Sequence, residues 1–81
     1  MTFGEALEIM KEDDWKLVAR EGWNGKGMWI HKTTPPSSPF SRDEYEALPY
    51  IEMKTADNKF VPWLASQTDL LAEDWIIVKE N

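Results

Sequence analysis

Tryptophan is the residue that most constrains the fold of this chain, because five of its 81 residues are tryptophan and none is cysteine. Without disulfides or thiolate-bound metals, a domain of this length depends on one small hydrophobic core. Large aromatic side chains supply much of such a core, or extend it by association with other chains. We therefore expect a single domain over residues 1–81, with its tryptophans divided between packing and a binding surface.

The charge of the chain restricts its partners. The formal net charge is -6 at pH 7, and no basic stripe is present, which argues against binding to a nucleic-acid backbone. A small anionic ligand is still compatible, since backbone amides at a helix N-terminus hold anions. A helical pattern directly follows Met1, and no apolar run reaches membrane-spanning length. We therefore expect a cytoplasmic protein with no membrane association.

The hydrophobic pattern predicts an α+β fold. A capping box at Thr2 and Glu5 opens a helix over 3–12, and Ser66 caps a second, short helix that contains residues 70–72. Alternating or apolar runs predict strands over 15–21, 28–30, 50–54, 60–64 and 75–78. Together these elements predict a small twisted antiparallel sheet of four or five strands with two helices.

Several local features carry more specific expectations. Asn24-Gly25 favours a tight hairpin turn, although the glycines beside it also permit a longer loop. Pro62 restricts its strand to an edge or a strand end. The strand over 75–78 is apolar on both faces, which predicts a central position in the sheet. A Pro/Ser-rich excursion over 33–49 interrupts the pattern, with one helical turn predicted at 42–48.

Two segments combine tryptophan with polar residues in the manner of a ligand pocket, namely GWNGKGMW at 22–29 and PWLASQTD at 62–69. In them, Trp23 and Trp63 are candidate aromatic walls, because Trp23 lies beside glycine and asparagine and Trp63 lies beside proline and close to serine. The candidate polar contacts are Asn24, Ser66, Gln67 and Asp69. Simpler roles exist for the same residues: Asn24 turns a hairpin, the tryptophans pack, and Ser66 with Asp69 caps a helix.

The charged residues favour binding over catalysis. Arg20 and Lys26 are the cations nearest the first segment, so they are the candidate counter-charges for an anionic ligand. His31 is the single histidine and no catalytic spacing places a carboxylate beside it. No phosphate loop, dinucleotide fingerprint or nucleophile elbow is present. We therefore predict a protein that is not an enzyme and that needs neither cofactor nor metal.

More than half of the chain resembles a known family. The segments are TFGEALEIM at 2–10, REGWNGKGMW at 20–29, IEMKTA at 51–56 and VPWLASQTDLLAEDWIIV at 61–78. They are similar to the second described type of phage Thoeris anti-defence protein. The run WLASQTD, followed by AEDW, is the most specific part of the likeness.

The resemblance implies a function by sequestration inside an infected bacterial host. Members of this family bind the cyclic ADP-ribose-type signal of the Thoeris immune system and hold it without cleaving it. They assemble as homotetramers with ligand sites at subunit contacts, and some take up cyclic dinucleotides at a separate site. From the residues alone, two other functions stay open: a protein–protein interaction module that uses exposed tryptophans, and a hydrolase of nucleotide signals.

Overall fold

A computed structural model gives the fold for residues 1–34 and 47–79, and residues 35–46, 80 and 81 lie outside the described part. The described residues form three helices and five strands. In chain order the elements are α1 (Phe3–Glu12), β1 (Leu17–Arg20), α2 (Glu21–Asn24), β2 (Trp29–Thr33), β3 (Tyr50–Lys54), β4 (Phe60–Pro62), α3 (Gln67–Leu71) and β5 (Trp75–Val78).

The five strands form one antiparallel sheet in the order β4-β3-β2-β1-β5. Helix α1 covers one face of it. The fully buried core lies between them and consists of Ala6, Met10, Val18, Ile30 and Trp75. The predicted α+β class is thus confirmed, with one helix more than the two that the pattern indicated.

Helix α1 begins at the predicted capping box. The Thr2 hydroxyl accepts from the Glu5 amide at 3.2 Å, and the Glu5 carboxylate accepts from the Thr2 amide at 2.9 Å. Both otherwise unpaired amides of the first turn are thereby satisfied. Ala6 and Met10, four positions apart, then present one buried side to the sheet.

The predicted tight turn at Asn24-Gly25 is wrong. The chain instead makes one helical turn, α2, and enters β2 through Gly27, whose φ of 71° is readily adopted only by glycine. The Trp23 carbonyl accepts from the Lys26 amide at 2.9 Å. Packing explains the change, since the helical turn brings the Trp23 ring to 5.3 Å from that of Trp75.

The predicted central position of the strand over 75–78 is also wrong, because β5 lies at an edge of the sheet. On its outer side, the Trp75 amide donates to the Met1 carbonyl at 3.1 Å and the Met1 amino group donates to the Trp75 carbonyl at 2.9 Å. Trp75 is buried, whereas Ile77 is 55% exposed. The apolar run reflects burial of one end of the strand and not of its whole length.

The other four strands form where they were predicted, with different ends: β1 is shorter than 15–21, β2 extends beyond residue 30, and β4 ends at Pro62. Ile51 and Met53 of β3 pack against the core, and β4 with Pro62 forms the other edge of the sheet. Most of the excursion predicted over 33–49, with most of its helical turn, lies outside the described residues. Within the described residues, no helix has the length and apolar character to cross a membrane.

Candidate functional site

Four aromatic rings form the centre of the candidate site, and we call Phe3, Trp23, Trp63 and Trp75 the aromatic cluster. Trp75 is its floor. Its ring centroid lies 5.2 Å from Phe3, 5.3 Å from Trp23 and 6.0 Å from Trp63, mostly edge-to-face. Trp23 and Trp63 also contact each other at 6.2 Å and are only partly buried. Two tryptophans from segments far apart in sequence therefore meet edge-to-face, and each keeps part of its ring accessible.

Arg20 lies at the margin of this cluster and is held by two carboxylates. Its Nε donates to Asp74 at 2.9 Å and its Nη1 donates to Asp69 at 3.0 Å. The hydrogen bond and charge of Arg20 lower the pKa of Asp74, and the two carboxylates raise the pKa of Arg20. The positive charge of Arg20, which was predicted to pair with an anionic ligand, is thus already paired within the chain. The two carboxylates together carry one more charge than Arg20 does.

The first turn of α3 borders the cluster through Asp69. The Ser66 hydroxyl accepts from the Asp69 amide at 3.1 Å, and the Asp69 carboxylate accepts from the Ser66 amide at 3.3 Å. The Asp69 carbonyl accepts from the indole N–H of Trp75 at 2.9 Å. The predicted helix cap is confirmed. Asp69 therefore contacts Ser66 of the cap, Arg20 and the buried Trp75.

The structure therefore brings five of the eight predicted ligand residues together: Arg20, Trp23, Trp63, Ser66 and Asp69. Lys26 and Gln67 are exposed. Gln67 lines a separate shallow cavity of about 360 Å³ together with Leu70 and Leu71. The side chain of Asn24 lies outside the described part of the structure.

Two residues of the site were missed by the sequence analysis. Phe3 was assigned only to the helix, yet its ring packs on both Trp63 and Trp75. Asp74 was not considered as a site residue, yet it binds Arg20. The register explains the second contact, since Arg20 pairs with Trp75 across β1 and β5. An acidic residue next to Trp75 was the available signal, but it becomes informative only once the two strands are known to be neighbours.

Comparison with known proteins identifies relatives over nearly the whole chain. The Thoeris anti-defense 2-like domain family matches residues 1–78. Thoeris anti-defense 2 from Bacillus phage SP01 is 45% identical over 86 residues, which cover 96% of this chain and 94% of the phage protein. The family match over residues 1–78 includes every residue of the aromatic cluster.

Proposed function

The chain belongs to the Thoeris anti-defense 2-like family, and we propose that it is a phage anti-defence protein that binds a cyclic ADP-ribose-type signal and sequesters it. The neighbouring, partly exposed rings of Trp23 and Trp63 carry this proposal. A purine stacks on such rings, and nearby amide and hydroxyl groups orient it. Sequestration inside the infected host withholds the signal from its effector.

The polar contacts follow from what is still available at the site. Arg20 already binds two carboxylates, so we assign it to holding Asp69 and Asp74 in place. We assign the phosphates to the exposed Lys26, while Asn24 and Gln67 remain predicted ligand residues. The Asp69 carboxylate repels a phosphate, which favours placing the base and not the phosphates beside it.

Binding without cleavage is the second part of the proposal. Arg20, Asp69 and Asp74 are paired with one another, so these groups serve to hold the site together and none is a free general base. A protein that sequesters a signal needs high affinity for it and does not need catalysis. To compete with an effector, that affinity has to be roughly nanomolar, or about -12 kcal/mol.

Assembly as a homotetramer completes the proposal. Leu64 is 93% exposed and Leu71 is 80% exposed, and both lie in or beside α3, next to Ser66 and Gln67. Large apolar side chains at the surface favour a protein interface. A neighbouring subunit at this position encloses the ligand between two chains, which a chain of this size achieves poorly alone.

The decisive experiment separates the proposal from its alternatives. The protein is incubated with cyclic ADP-ribose-type signal, freed of unbound ligand by gel filtration and denatured by heat, and the supernatant is analysed by mass spectrometry. Intact released signal supports sequestration. Altered signal identifies a hydrolase, and no retained signal favours the interaction module. Trp23→Ala tests the site, with Tyr50→Ala as an aromatic control away from the cluster.

A further inference from the structure

A second aromatic surface lies on the sheet face opposite the helices. We call it the aromatic groove, and it has a volume of about 370 Å³. Val18 pairs with Ile30 in the core, so their chain neighbours Leu17, Trp29 and His31 point to the other face. The groove is lined by Asp14, Trp15, Leu17, Trp29, His31 and Phe60. Its volume is in the range of small-molecule pockets, and the sheet separates it from the aromatic cluster.

Three rings of the groove, Trp29, His31 and Phe60, contact one another, and two of its aromatic side chains are strongly exposed. The Trp29 ring lies 5.4 Å from His31 and 5.9 Å from Phe60, both close to edge-to-face. Trp15 is 80% exposed and Phe60 is 57% exposed. The faces of these rings carry negative partial charge, so a ligand placed against several of them meets the same electrostatic preference from each.

The polar groups of the groove are already engaged. His31 Nδ1 lies 2.9 Å from the Asp14 carbonyl and Nε2 lies 3.0 Å from the Glu52 carboxylate, so the imidazole offers a ligand only its face. The Asp14 carboxylate lies 3.2 Å from Lys32 Nζ. The hydrogen bond from Lys32 lowers the pKa of Asp14, and the two side chains form an ion pair at the rim of the groove.

We propose that the aromatic groove binds a small, flat organic cation of the N-alkylpyridinium class. Charge complementarity selects this class. Aromatic faces attract a cation within about 6 Å of the ring centroid. The net charge of -6 raises the local concentration of cations. The proposed cation differs from the cyclic ADP-ribose-type signal, and the groove lies on the opposite face of the sheet from the aromatic cluster.

The test compares 1-methylpyridinium, the probe, with toluene, its neutral isostere. Binding of each compound is monitored through the indole N–H signals in a nitrogen–proton correlation spectrum. We expect saturable shifts of the Trp15 and Trp29 signals with the cation and weaker effects with toluene. Trp15→Ala and Phe60→Ala should each weaken binding by about threefold to tenfold. Both side chains are exposed, so the folded state is retained. Ile77→Ala on the helix side of the sheet should bind as the parent does.

Three results would overturn the proposal. The first is the lack of saturable shifts at millimolar 1-methylpyridinium. The second is toluene binding as tightly as the cation, which would show that charge is not recognised. The third is movement of the Trp15 and Trp29 signals with protein concentration and not with the cation, which would assign this face to contact between copies of the chain.

Discussion

At the residue scale, Trp75 connects the core to the candidate site. It is 1% exposed, yet its indole N–H donates to the Asp69 carbonyl at 2.9 Å, so its single polar atom is satisfied. Trp23 and Trp63 both pack edge-to-face against the same ring. The positions of the two exposed walls are therefore set by a fully buried residue.

Replacing either wall should weaken ligand binding. We expect Trp23→Ala and Trp63→Ala each to cost about 1–3 kcal/mol of binding free energy for the cyclic ADP-ribose-type signal, by analogy with base stacking on aromatic side chains. Calorimetric titration below the unfolding temperature of each variant measures this loss. Tyr50→Ala should bind normally. Unchanged affinity in both tryptophan variants would remove the rings from the site.

The Arg20–Asp74 ion pair predicts a pH dependence of stability. Arg20 lowers the pKa of Asp74 in the folded chain below its ordinary value of 3.8. The unfolded chain therefore binds a proton first on acidification, and unfolding becomes easier. The stabilisation is complete above the ordinary pKa and is lost as the pH falls through the lower, folded one. Urea denaturation at pH 7 and pH 3 should show a smaller acid-induced loss in Asp74→Asn than in the parent, and an equal loss would contradict the coupling.

At the scale of the elements, β5 predicts a contrast between two isoleucines. Ile77 is half exposed at the sheet edge, so Ile77→Ala should cost about 1 kcal/mol of unfolding free energy or less. Ile30 is fully buried in central β2, so Ile30→Ala should cost about 2–5 kcal/mol. Chemical denaturation measures both values. A larger loss of unfolding free energy in Ile77→Ala would contradict the edge position of β5 and would favour the central position predicted from its apolar sequence.

Local patterns predicted most of the elements but not their arrangement. The capping residues Thr2 and Ser66 act within one helical turn, so the sequence around them suffices to place α1 and α3. The strand order depends on contacts between distant segments, which explains why β5 was misplaced. The Asn24-Gly25 turn failed for a related reason, since burial of Trp23 against Trp75 outweighed a local turn preference.

The same division applies to the site. Trp23 and Trp63 were recognisable because each lies beside glycine, asparagine or proline. The double ion pair of Arg20 was not, because it requires β1, α3 and β5 to meet at one point. The residue types thus indicated a binding site. That Arg20 is paired with Asp69 and Asp74 became clear only from the tertiary fold.

At the scale of the whole molecule, we expect a homotetramer. Light scattering coupled to size exclusion should give a mass four times the 9.4 kDa of one chain. The double variant Leu64→Glu, Leu71→Glu should dissociate it, because both side chains are strongly exposed in one chain and charge is not tolerated in an apolar interface. A parent that stays monomeric at micromolar concentration would refute the assembly. A monomeric variant with full affinity would refute the shared pocket.

Because the walls of the site rest on the core, occupancy and folding are thermodynamically linked. A ligand held by Trp23 and Trp63 binds only while Trp75 is in place, so it has no comparable affinity for the unfolded chain. At a free concentration one hundred times Kd, the linkage adds about 2.7 kcal/mol of stability. For a domain of this size that corresponds to about 10–20 °C in Tm. A thermal-shift series across candidate signals would thus rank them by affinity, and the true signal would leave the protein harder to melt.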